Sequence, residues 1–263
     1  MTVMSCAVHH EVDGPSDGPV VVLSNSIGST LRMWDPQLKP LTDHGFRVIR
    51  YDTRGHGRSP VPRAPYTISD LGGDVIALLD RLDVPAAHII GLSLGGMTGL
   101  WLAQHQPSRV RTLAATFTSA RPGNEQAWRA RIEQVRTQGM AAIADGSIDR
   151  WFTQPWIEAN PLLTKEMREM TASTPAEGYI ACCRLLARLD LVPDLAKVTA
   201  PTLVIAGAQD KSLPPEHGKL IADGVAGARF EVLSPAAHLG SYEQADRFND
   251  LVLHHLRAFP LRR

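Results

Sequence analysis

Three side chains in this sequence have the types that acyl transfer through a serine requires, and they stand in a usable order along the chain. The run Gly91-Leu92-Ser93-Leu94-Gly95 sets a hydroxyl between two glycines, with a third at Gly96. A serine is a weak nucleophile unless a base takes its proton and an acid orients that base. Asp210, in VIAGAQDKSLPP, and His238, in LSPAAHLGSYEQ, follow Ser93 in that order. The chemistry on offer is attack of a hydroxyl on an ester-type carbonyl, with a second histidine-assisted step to release the acyl group.

That chemistry needs a scaffold that brings three distant loops together. The apolar runs at 19–25, 46–53, 87–93, 110–118, 201–210 and 228–234 read as strands, and their near-continuous apolar residues predict strands covered on both faces. Helical patterns at about 69–82, 94–106, 215–223 and 242–258 alternate with them. The expected fold class is α/β, a mostly parallel sheet flanked by helices. Ser93 then falls on a very tight strand-to-helix turn, where neighbours two residues away must be small and the following helix is expected to be amphipathic. Between about 121 and 197 the alternation stops. That stretch is helical in pattern and rich in Trp, Arg and Met, and it predicts a helical insertion, or cap, between two strands of a core made of 1–120 and 198–263. In open α/β sheets such an insertion lies over the carboxyl ends of the strands, where ligands bind.

The alternatives to Asp210 and His238 are weaker on position. His254 and His255 fall inside the last helix, and His217 opens a helix and is expected to face solvent, as are the His9-His10 and His254-His255 pairs. Asp52 follows a strand that comes before the serine, and Asp194 lies at the exit of the insertion. Two backbone donors are needed to hold an oxyanion. One is the amide of Leu94, next after the serine. The other comes from the loop SNSIGST, where Ile27 is preferred over Ser26.

Bulk composition narrows the function classes. Lys plus Arg equals Asp plus Glu, 27 each, so no charge excess draws nucleic acid or an anionic membrane. No apolar run approaches the roughly 18 residues that span a bilayer, and the N-terminal stretch does not read as a leader, so a cytoplasmic protein is expected. The three cysteines include no CxxC, and there is no HExxH, so free thiols and no metal are expected.

The runs NSIGS, YDTRGHGRS, GLSLGGM, AGAQD and AAHLGSYEQ, in this order, resemble the α/β-hydrolase superfamily over nearly the whole chain. LSNSIGST…MWDPQ, YDTRGHGRSPVP, DRWFT and TPAEGYIACC resemble the 3-oxoadipate enol-lactonases within it. The loop before Ile27 departs from the usual His-Gly pair, with Asn25-Ser26 in its place. The resemblance implies a cap over the active site, no cofactor and a small lactone or ester substrate, with self-association left open; some such lactonases carry an appended decarboxylase domain, and none is expected here because the sequence stops at Arg263, right after the last hydrolase helix. It also implies cleavage of 3-oxoadipate enol-lactone to 3-oxoadipate in aromatic catabolism. A substrate with an acetate side chain calls for a cation, and Arg150 beside Trp151 and Phe152 is the expected anchor, with Arg121 as the second choice. General carboxylesterases, perhydrolases of the haloperoxidase type and carbon–carbon bond hydrolases share the fold and the serine, and some proteins of this fold are non-catalytic receptors.

Overall fold

The computed structural model describes residues 5–259; the first four residues of the stretch read for a leader, and 260–263, lie outside the described residues. Seven strands form one sheet: β1 His10–Asp13, β2 Val20–Ser24, β3 Arg47–Tyr51, β4 Ala87–Leu92, β5 Val110–Thr116, β6 Thr202–Gly207 and β7 Arg229–Leu233. Their order is β1-β3-β2-β4-β5-β6-β7, with β1 antiparallel to β3 and every other pair parallel. Strand β1, short and polar, was not among the expected strands.

The helices outside the insertion are α1 Asp35–Asp43, α2 Ile68–Arg81 and α3 Leu94–His105 before it, and three more near the C-terminus. The insertion between β5 and β6 carries α4 Glu125–Gln138, α5 Ala141–Trp151, α6 Gln154–Ala159, α7 Pro161–Ala172 and α8 Ala176–Leu186, with no strand among them. After β6 come α9 Pro215–Gly224, then α10 Gly240–Glu243 and α11 Ala245–Arg257 where one helix was expected.

The apolar runs are continuous because the strands have two cores. In β2, Val20 and Val22 join one apolar cluster, while Val21 and Leu23 join the other. β4 divides the same way, with Ile89 on the first face and Ile90 and Leu92 on the second. Successive side chains on a strand point to opposite faces, so burial of both requires an apolar residue at each position. Helix α3 departs from the amphipathic expectation. Leu94 through Leu100 are all buried, as are Leu102, Ala103 and Gln104. It packs on β2, β4 and β5 on one side and on α2 on another, so it has almost no solvent face.

Burial also corrects two histidines. His255 is 3% exposed rather than at the surface, and His217 is half-buried with its Nδ1 2.8 Å from Ser119 Oγ. Burial in apolar surroundings pushes His56, His88 and His255 each down to about 4. Their native form is neutral, whereas the unfolded chain takes up protons below about 6.5. The stability they contribute is therefore complete above about pH 6.5 and drains away as pH falls toward 4. At pH 5 the loss is roughly 2 kcal/mol for each, against a total of about 5–15 kcal/mol for a typical domain. Urea unfolding is expected to show a markedly lower midpoint at pH 5 than at pH 7.5, and His255→Asn to narrow that gap by about a third. Equal midpoints at the two pH values would refute this account.

Candidate active site

Ser93 is the single residue between β4 and α3. Its φ of 57° and ψ of −116° are unusual for any residue with a side chain, a strain of about 1–3 kcal/mol that only surrounding structure can hold. Three bonds hold it: Ser93 N donates to Thr116 O at 3.0 Å, and Ser93 O accepts from Met97 N at 3.0 Å and from Thr118 Oγ1 at 2.7 Å. The glycines answer to close backbones. A Cβ on Gly91 would strike the carbonyl of Gly95, and one on Gly95 would strike the carbonyl of Ser24 at the end of β2. At Gly96 it would lie 2.7 Å from the Thr118 side chain. The helix start is thereby pressed onto three strand ends, and the Ser93 hydroxyl sits at the positive end of α3.

Asp210 and His238 come from the loops after β6 and β7. Asp210 Oδ2 lies 2.7 Å from His238 Nδ1, with both side chains buried. Asp210 Oδ1 accepts from the amides of Ser212 at 2.8 Å and Leu213 at 3.0 Å, which fixes the carboxylate plane. Because a carboxylate can only accept, Nδ1 carries the proton and Nε2 is left as the acceptor. Ser93 and His238 line one cavity of about 210 Å³. No hydrogen bond joins Ser93 Oγ to His238; such contacts commonly tighten only around substrate. The competing acids are engaged elsewhere: Asp52 accepts from the amides of Leu31 and Arg58, and Asp194 pairs with Lys197 at 2.8 Å.

The two amides available to an oxyanion can be told apart. Leu94 is the first residue of α3, and its N–H has no acceptor within the helix. Ser26 N is occupied by Met33 Sδ at 3.2 Å. Ile27 N donates to no acceptor among the described residues, and both Ser26 and Ile27 line the cavity.

The insertion lines the same cavity with Trp128 and Arg131 from α4, Arg150 and Trp151 from α5, and Tyr179 from α8. Arg150 Nη2 donates to Ser147 Oγ at 3.2 Å, and the Arg131 guanidinium stands over the Trp128 ring at 4.9 Å. Among the described residues neither arginine forms an ion pair with a carboxylate. Burial, and then the Arg131 cation beside it, lower Arg150 to about 10, so it remains charged at neutral pH. Arg150 and Trp151 both line the cavity that Ser93 and His238 line. Phe152 is not on the cavity wall; it stacks on Trp156 with ring centroids 4.0 Å apart. Arg121 is exposed and pairs with Asp190 at 3.5 Å. Arg131 was missed, although WRAR sets Trp128 and Arg131 three apart on one helix face, a spacing that could have flagged them. Among the described residues no group of three or more His, Cys, Asp or Glu side chains could hold a metal ion, and no helix is long and apolar enough to cross a membrane.

A sheet of this order, a serine on a strained turn after its central strand and an Asp–His pair on the loops after β6 and β7 agree with the sequence match: a profile of the alpha/beta hydrolase family covers residues 20–251, and the chain belongs to that family. Within it the similarity is to enol-lactonases. The chain is 42% identical to 3-oxoadipate enol-lactonase 2 of Acinetobacter baylyi over 252 residues, 96% of this chain and 94% of the relative. It is 37% identical to 3-oxoadipate enol-lactonase 1 of the same organism, over 90% of this chain and 88% of the relative. The crystal structure of the enol-lactonase from Burkholderia xenovorans LB400 superposes with a TM-score of 0.92 at 40% identity, covering 94% of this chain and 95% of that one. These findings bear out the resemblance read from the motifs.

Proposed function

We propose that this chain hydrolyses 3-oxoadipate enol-lactone to 3-oxoadipate in the β-ketoadipate pathway, through an acyl-enzyme on Ser93. The observation that carries the substrate is the pair of guanidiniums, Arg131 and Arg150, that line the Ser93 cavity without a carboxylate partner among the described residues. Two like charges brought together away from water repel each other, and a substrate carboxylate relieves that cost through charge-assisted, two-pronged hydrogen bonds. Residues 121–197 act as the cap that supplies both arginines and keeps bulk water from the reacting atoms.

His238 Nε2 takes the proton from Ser93 Oγ as that oxygen bonds to the lactone carbonyl carbon. Asp210 holds His238 in the tautomer that allows this. The carbonyl oxygen becomes the oxyanion and accepts from the amides of Ile27 and Leu94. The ring carbon–oxygen bond then breaks, and the enolate oxygen leaves with its electron pair. An enolate is a better leaving group than an alkoxide, and its protonation by the His238 imidazolium gives a ketone and returns His238 to its neutral form, so ring closure is not competitive. Water, deprotonated by His238, then attacks the Ser93 ester; the bond to Ser93 Oγ breaks, Oγ takes the proton back from His238, and the second carboxylate is released.

The enol-lactone should be compared with simple γ-lactones, p-nitrophenyl esters and a meta-cleavage diketone. Its kcat/KM is expected to exceed that for the simple esters by at least about tenfold, roughly 1.4 kcal/mol of transition-state preference. A smaller margin would remove the lactone from the proposal and leave a serine esterase; turnover of the diketone alone would make it a carbon–carbon bond hydrolase.

A further inference from the structure

Glu243 stands at the end of α10, in the motif that also contains His238, and the acyl-transfer steps above do not use it. Its carboxylate has no cationic partner among the described residues and spends both oxygens on donors from two separate parts of the chain. Oε1 accepts from Thr153 N at 2.8 Å and from Thr153 Oγ1 at 2.7 Å. Oε2 accepts from the amide of Ala237, the residue before His238. On the other side of His238, Leu239 N donates to Trp151 O at 2.8 Å. The amides flanking His238 are therefore both tied, one through Glu243 and one directly, to the junction between α5 and α6. The same α5 carries Arg150 and Trp151 into the cavity.

We propose that Glu243 is a positioning residue that fixes His238 in register with the anion-holding face of α5, so that the seat of the substrate carboxylate and the reach of Nε2 are set together. The part that concerns the substrate carboxylate rests on the proposed function; the positioning of His238 does not. A carboxylate suits this role because every group it meets is a donor. Hydrogen bonds to an ionised acceptor are about twice as strong as neutral ones, and no neutral side chain of this length can accept from both ends. The geometry matters because a displacement of about 1 Å at reacting groups costs about 100-fold in rate.

Glu243→Gln has the same shape but must turn its NH2 against either Ala237 N–H or the Thr153 donors. Thr153→Val removes one donor from the α5–α6 side and leaves the Ala237 bond. Each variant is to be assayed on p-nitrophenyl acetate and on the enol-lactone, with thermal midpoints and circular dichroism recorded beside the kinetics. Glu243→Gln is expected to lower kcat on p-nitrophenyl acetate by at least about tenfold with KM within about twofold, because a small neutral ester binds without help from His238. It is also expected to cut the preference for the lactone, as a ratio of kcat/KM values, by at least about threefold, and Thr153→Val to cut that ratio by a smaller factor. A kcat on p-nitrophenyl acetate within about twofold of the unaltered protein, whatever the thermal midpoint, overturns the positioning of His238. A lowered kcat with an unchanged preference overturns the coupling to α5. Should Glu243→Gln lose its folded spectrum, Thr153→Val decides, and an unchanged preference in that variant overturns the coupling. An unaltered protein with no preference for the lactone defeats the substrate reading alone, and the p-nitrophenyl acetate comparison still decides the role of Glu243.

Discussion

Ser93→Ala is expected to lower kcat by at least about 10⁴-fold while leaving the thermal midpoint and circular-dichroism spectrum unchanged. The two halves of that expectation have separate physical grounds. The loss is large because a nucleophile, its base and the orienting acid act as a unit, and what survives without the nucleophile is only the contribution of binding and of the oxyanion donors. The fold is indifferent because everything that holds the strained turn belongs to the backbone of Ser93: its N–H to Thr116, and its carbonyl with Met97 and Thr118. Alanine keeps those bonds, the same Cβ and the same φ. A fluorophosphonate is expected to add one mass adduct to the unaltered protein and none to the variant. Turnover near normal in the alanine variant would remove Ser93 from the mechanism and leave the cavity as a binding site.

What could be read in the sequence was what backbone geometry writes into it. The glycines around Ser93 are there because the carbonyls of Gly95 and Ser24 and the side chain of Thr118 leave no room for a Cβ, so the pattern was visible without any coordinates. The parallel strands were visible because two apolar faces demand an unbroken apolar run. Asp210 and His238 were found by their places at strand ends, and the structure sets them 2.7 Å apart. Strand β1 escaped because HEVD, with burial only partial, has neither an apolar face nor an unbroken run. Helix α1 was not among the expected helices, and it holds Pro36 and Pro40, a residue type that interrupts a helical pattern. In the first turn a proline gives up an N–H that has no helical acceptor, and the absent N–H of Pro40 costs a single bond. The burial of His255 and the bonding of His217 to Ser119 depend on which neighbours cover each helix, and periodicity along one helix does not carry that information. Glu243 went unread because its partners, Thr153 and Ala237, are brought to it only by the folded chain; Arg131 stood at a readable spacing from Trp128, but the sequence does not say that this face of α4 lines the cavity.

The arginine pair leads to an expectation in which activity and stability move in opposite directions. Arg150→Ala and Arg131→Ala are each expected to lower kcat/KM for the enol-lactone by about 10- to 100-fold, the span of one hydrogen bond to a charged group worth about 1.5–3 kcal/mol. On p-nitrophenyl acetate, which has no carboxylate, the same variants should stay within about threefold of the unaltered protein. The thermal midpoint should hold or rise, because the Arg131 cation stands close enough to lower Arg150 and, among the described residues, neither guanidinium forms an ion pair with a carboxylate. Sites built for a ligand commonly carry such a stability cost. Arg150→Lys separates charge from shape. It keeps a cation but loses the planar fork that meets a carboxylate with two parallel bonds, so its lactone activity should fall between those of the unaltered protein and Arg150→Ala. Removing both arginines should cost less than the product of the single losses, since deleting the first already frees the second from repulsion. If both substrates lost activity equally, the arginines would be shaping the cap rather than reading the carboxylate. If the variants unfolded more readily, the pair would be holding the fold together, and the case for an acidic lactone would lose the observation that carries it.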